Sequence, residues 1–207
     1  MSNNLEYVNM NISHQEYTSF CIQRRTKEGD TMCKTISEIQ GKKAKDLLEM
    51  SGQEACYPVD MEKILKTISI SCEPLNFRSV GDDSGLTLGA LVTNGDRAAI
   101  FYRVQDAKDS HRCRFTIAHE LAHACLSTGK YSVHFRKEGD PEDTEERAAN
   151  VFAGELLVPE DVLHSVIKKL LKPTVKSLSN IFDVSESVIR ARLKFLNIED
   201  EILGYNC

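Results

Sequence analysis

RFTIAHELAHACL, residues 114–126, sets two histidines four positions apart with a glutamate directly after the first. On an α-helix His119 and His123 then share a face, and Glu120 lies about 100° round from His119. Two neutral imidazoles so placed can supply half of a tetrahedral metal shell, and the carboxylate between them can reach a water without being a ligand itself. The helix is read from Phe115, Ala118, Leu121, Ala122 and Cys125, an apolar stripe at helical spacing that leaves the histidines on a neighbouring face. A single histidine beside such a stripe is ordinarily a hydrogen-bonded core or surface group. A chance match to all three positions is expected on the order of once in a hundred chains of this length, so the spacing argues for a metal site.

A zinc site needs a third protein ligand, and DPEDTEERAANVFAGELLVP, residues 140–159, offers carboxylates on a second helix. Asp140 suits its cap, Pro141 its first position, and Glu142 and Asp143 complement the helix dipole. Glu142, Glu146 and Asn150 recur every four residues on one face, flanked by Ala149 and Ala153, which are small enough for another helix to approach closely. Glu142 already has a role among the free N–H groups of the first turn, so spacing favours Glu146 while leaving Glu142 as a rival. Asn150, one turn on, is placed to accept the free ring N–H of a metal-bound histidine, or is simply a helix-surface amide. Glu145 and Glu155 read as surface charges.

Outward from these helices the chain is ordinary in bulk. Its 207 residues, 41% hydrophobic and 28% charged, can bury a sizeable core, and the net charge of −5 gives no general attraction to nucleic acid. The N-terminus lacks a basic run followed by an apolar one, and no window approaches the length of a membrane span, so a cytoplasmic protein is expected. Seven cysteines with no C-x-x-C pair argue against both a disulfide framework and a thiolate zinc site.

Residues 1–40 are polar and weakly patterned, and read as a poorly ordered extension. Ala44, Leu47 and Leu48 mark a helix, and after Pro58 so do Met61, Ile64, Leu65 and Ile68. ISISC (68–72), GLTLGALV (85–92) and RAAIFYRV (97–104) read as strands, the last two joined as an antiparallel hairpin through Asn94-Gly95. Such a hairpin would offer an edge strand to an extended substrate. PTVKSLSNIFDVSESVIRARLKFLNI, residues 173–198, reads as helix, turn at Asp183-Val184-Ser185, and helix, in the pattern of a helix-turn-helix. Lys168, Lys169, Lys172, Lys176, Arg190, Arg192 and Lys194 make this region locally basic, so it could touch phosphates.

RFTIAHELAHACL together with EERAANVFAGELLVP resembles the ImmA/IrrE family of metallopeptidases. The resemblance is carried by Phe115, His119, Glu120 and His123, then by Glu146, Asn150, Ala153, Leu156, Leu157 and Pro159, and extends over about residues 42–197. Ala122 stands where the family often has glycine and Val158 where methionine is common; both positions concern packing. The resemblance implies that Glu146 rather than Glu142 completes the ligand set, with Zn²⁺ as cofactor. Mn²⁺ also suits two histidines and a carboxylate. It further implies limited proteolysis of a helix-turn-helix repressor encoded nearby, one that controls a mobile element or a stress response.

The expected fold is therefore α+β: a small antiparallel sheet on a helical zinc-peptidase core over 41–171, followed by a helix-turn-helix-like segment over 172–207. Glu120 is the expected general base. His134, Tyr131 and His111 are candidates to stabilise the oxyanion, and no spacing chooses among them. The competing reading is a DNA-binding regulator with a structural metal. A structural zinc normally has a closed, cysteine-rich shell, and in that reading Glu120 would have no function.

Overall fold

The structure, a computed structural model, describes residues 36–80, 82, 85–94, 97–127, 131–137 and 144–202. Most of the expected extension, 1–35, lies outside the described residues, but the packed body begins within 1–40. The short helix α1 (Ile36–Ile39) buries both of its isoleucines.

Two helices follow as the apolar spacing predicts. Helix α2 (Ala44–Ser51) buries Ala44, Leu47 and Leu48 and stops at Gly52, whose φ of 63° is the left-handed conformation that ends helices. Helix α3 (Met61–Thr67) starts at Asp60, whose carboxylate accepts from the Lys63 N–H at 3.0 Å. Strand β1 (Ser71–Leu75) begins three residues later than ISISC suggests. Ile68 caps α3 and Ser69 takes a left-handed φ of 58°, so the chain is still turning there. The alternation of Ile68 and Ile70 reflects two buried side chains on a turn, not a pleat.

Strands β2 (Thr87–Asn94) and β3 (Arg97–Arg103) form the expected antiparallel pair. Asn94 pairs with Arg97 and so belongs to the strand end rather than to the turn; Gly95 and Asp96 lie outside the described residues. With β4 (Tyr131–Lys137) the sheet has four strands in the order β1-β3-β2-β4. It is mixed rather than antiparallel, because two chain reversals separate β1 from β3 and bring β3 back parallel to it. The hairpin strands are thus interior, each paired on both sides, and the edges among the described strands are β1 and β4. Pro74, which cannot donate to a ladder, sits in edge strand β1.

Helix α4 (Ser110–Leu126) crosses the sheet against β2 and β3 and packs along α5 (Thr144–Leu157). Thr116 to Cys125 are all buried, so that part of α4 is enclosed on every side rather than amphipathic. Helix α6 (Glu160–Lys169) follows Pro159. Helices α7 (Val175–Phe182) and α8 (Glu186–Leu196) match the predicted pair, with Asp183 left-handed at the turn and Ser185 capping α8. One buried cluster runs through Ile39, Leu47, Ile64, Leu91, Ile100, Leu121, Leu156, Leu178, Phe182 and Leu193, so α7 and α8 share the core of the preceding helices. A second, small cluster of Phe77, Ala90, Val92, Ala99 and Phe101 holds alternate positions of β2 and β3, the side chains opposite those of Leu91 and Ile100. Among the described residues no helix is long and apolar enough to cross a membrane.

Candidate metal centre

The cluster forms where α4 and α5 lie side by side. Asp109 caps α4 by accepting from the Arg112 N–H at 3.1 Å, and the helix then carries His119 and His123 to the α5 interface. The close approach uses the small residues expected of it, since Ala118, Ala122, Ala149 and Ala153 are all wholly buried. The two imidazoles meet edge to face with centroids 4.8 Å apart and Nε2 atoms 3.1 Å apart. Glu146 reaches in from α5, its Oε2 3.1 Å from His119 Nε2 and its Oε1 3.2 Å from His123 Nε2. One ligand atom from each residue falls within 4.8 Å of the others.

Asn150, one turn beyond Glu146, accepts from Nδ1 of His119 at 3.0 Å. That bond places the ring proton on Nδ1 and turns the Nε2 lone pair toward Glu146 and His123. Three Lewis-basic groups therefore converge where water is nearly excluded, the His119 side chain being 0% exposed and that of Glu146 19%. Nitrogen and oxygen donors facing one another in this way call for a cation between them, and the set suits zinc or manganese.

Glu120, the residue between the two histidines, is also fully buried and its side chain packs against the sheet. Its carboxylate lies against Gly89 of β2: a Cβ built there would fall 2.9 Å from Glu120 Oε1 and 2.5 Å from Thr116 Cγ2. Only a glycine lets the strand pass this close. The sequence reading missed Gly89, although a lone glycine inside an apolar strand signals such an approach.

The remaining candidates are distributed as follows. Glu142 lies outside the described residues; Glu145 is exposed, as expected, while Glu155 is half-buried. His111 sits two turns before His119 and is engaged with Asp183 at 3.2 Å. Tyr131 and His134 belong to β4 by backbone pairing, and their side chains lie outside the described ones. Cys56, Cys113 and Cys125 are free thiols, and burial pushes that of Cys125 up to about 12. Arg192, one of the basic residues that could touch phosphates, is buried, and its Nε donates to the Val158 carbonyl at 3.1 Å.

The sequence model of the Peptidase_M78 family, described as the IrrE N-terminal-like domain, matches residues 90–194, just over half the chain. The matched span holds the whole cluster and nearly all of α8. No curated protein matches the chain.

Proposed function

The chain belongs to the Peptidase_M78 family of IrrE N-terminal-like domains, and from that premise we propose that it is a zinc-dependent endopeptidase performing limited proteolysis of a protein substrate. The observation that carries this reading is the convergence of His119, His123 and Glu146 beside a buried Glu120. His119 and His123 through Nε2 and Glu146 through its carboxylate would hold the ion. When bound, zinc polarises the scissile carbonyl and makes water acidic enough to attack at neutral pH.

This chain's own residues do the rest. Asn150 holds the His119 ring so that Nε2 stays a ligand atom. The Glu120 carboxylate accepts the proton of the attacking water and returns it to the leaving amine as the C–N bond breaks. Burial of the pair of histidines and of Glu120 keeps bulk water from competing for those protons. The substrate we assign is a helix-turn-helix repressor of a mobile element or stress response, met in the cytoplasm and encoded near the protease. A DNA-reading role would need α8 to present its basic side chains together; Lys194 is exposed, but Arg192 is 4% exposed and tied to the Val158 carbonyl.

The test is to incubate the metal-loaded protein with the repressor encoded beside its gene. One defined cut is expected, abolished by chelation and restored by zinc or manganese. Glu120→Gln keeps about one metal per chain and loses the cut, since an amide cannot accept the proton. Glu146→Ala loses most of the metal. Full activity in Glu120→Gln, or specific DNA binding that survives chelation without any cleavage, would overturn the proposal.

A further inference from the structure

A cleft of about 660 Å³ opens beside the metal cluster, walled by the first half of α4, by α5 and by α8. Leu88, Phe115, Val151, Val188, Ala191 and Phe195 give it an apolar lining. Single exposed apolar residues are ordinary on a protein surface. Here Val151 at 38% and Phe195 at 55% exposure line the same concavity. Phe195 is backed by Arg192, whose guanidinium stands 5.5 Å from the ring centroid and is itself tied to Val158. The face of α8 that carries Val188, Ala191 and Phe195 is therefore a wall of this cleft.

The cleft adjoins the candidate centre through residues that touch it, none of the ligands themselves being in its lining. Asn150 lines it and holds His119; Phe115 lines it with its ring 6.3 Å from that of His119; Leu88 adjoins Gly89, which touches Glu120. A polypeptide whose scissile bond lay at His119, His123 and Glu146 would place a neighbouring side chain here. A volume of this size, whose exposed lining surface is mostly apolar although Asp109, His111, Arg112 and Arg192 border it, suits a large side chain with an uncharged body. We propose that this cleft is the specificity pocket, that it takes an aliphatic or aromatic side chain flanking the scissile bond, and that Ala191 and Phe195 of α8 set its size. This rests on the peptidase reading.

Discrimination through such a pocket is of the order of ten- to two-hundredfold for one extra or missing methylene. The experiment uses the full-length protein loaded with zinc, and a proteome-derived peptide mixture whose cleavage products are sequenced by mass spectrometry. The wild type is expected to enrich Leu, Ile, Met or Phe at one position flanking the cut. Ala191→Trp, which fills the cleft at an exposed position, shifts that position toward Gly, Ala and Ser by at least tenfold. Phe195→Ala, also exposed, weakens the preference severalfold. Placed in Glu120→Gln protein, Ala191→Trp also weakens binding of an uncut peptide of the preferred sequence at least tenfold by calorimetry, a readout without turnover. Cleavage with no apolar preference, or a preference and an affinity unchanged by Ala191→Trp, would overturn the pocket and leave the peptidase standing. Absence of any cut with zinc or manganese would overturn the peptidase and the pocket with it.

Discussion

Glu120 depends on a residue 31 positions earlier that has no side chain. The strand passes the helix so closely at Gly89 that a methyl group would press on Glu120 Oε1 and Thr116 Cγ2 together. Thr116 is 2% exposed and Glu120 0%, so neither can swing into open space. Gly89→Ala is therefore expected to displace the carboxylate while sparing His119, His123 and Glu146, none of whose atoms is among those a methyl there would meet first. Displacements near 1 Å at a catalytic group cost about 10²-fold in rate. Cleavage should fall by that order with metal content unchanged; a variant that cuts at the wild-type rate would remove Gly89 from the account.

At the scale of elements, α4 is the joint on which the others meet. Its residue Arg114 donates from Nε to the Asp183 carbonyl at 3.1 Å and from a terminal nitrogen to the Val59 carbonyl at 3.0 Å. It also pairs with the Asp183 carboxylate at 3.3 Å. One side chain thus ties α4 to the turn between α7 and α8 and to the lead-in of α3. Burial lowers its pKa, and Asp183 opposes that shift, as for any cation drawn out of water toward a counter-ion. Arg114→Ala leaves two carbonyls without their donor and should cost about 2 kcal/mol, or a fall in Tm of roughly 4–8 °C for a chain of this size. Thermal melts check this, and zinc content should stay unchanged because the ligands begin a turn further along. Arg114→Lys should recover only part of the loss, since an ammonium cannot span the same fork.

At the scale of the whole molecule, one core joins α1 to α8, so α4 is expected to open only together with its surroundings. Cys125, two residues past His123, tests this. It is 1% exposed with its thiol pushed up to about 12 by burial, whereas Cys56 is exposed. Near pH 8 iodoacetamide should label Cys56 readily and Cys125 only through opening of the core, so that Cys125 labelling slows in step with global stability. Labelling of both at similar rates in the native protein would show that α4 opens locally.

The sequence by itself determined what local spacing can encode. His119 and His123 fall on one helical face because 3.6 residues make a turn, and Glu146 with Asn150 repeats that geometry on a second helix. The α7–α8 boundaries follow from Asp183 and Ser185 in the same way. Tertiary structure decided whatever depends on residues far apart in the chain. It placed Glu146 within 3.2 Å of both histidines and Asn150 on His119 Nδ1, which spacing alone had left open against Glu142 and a surface amide. It made the sheet mixed, put the hairpin inside it, enclosed residues 116–125 of α4 on all sides and turned Arg192 inward. The physical reason is one of range: periodicity reports which side chains share a face of one element, while burial and pairing are set by the neighbours that the fold brings to that face.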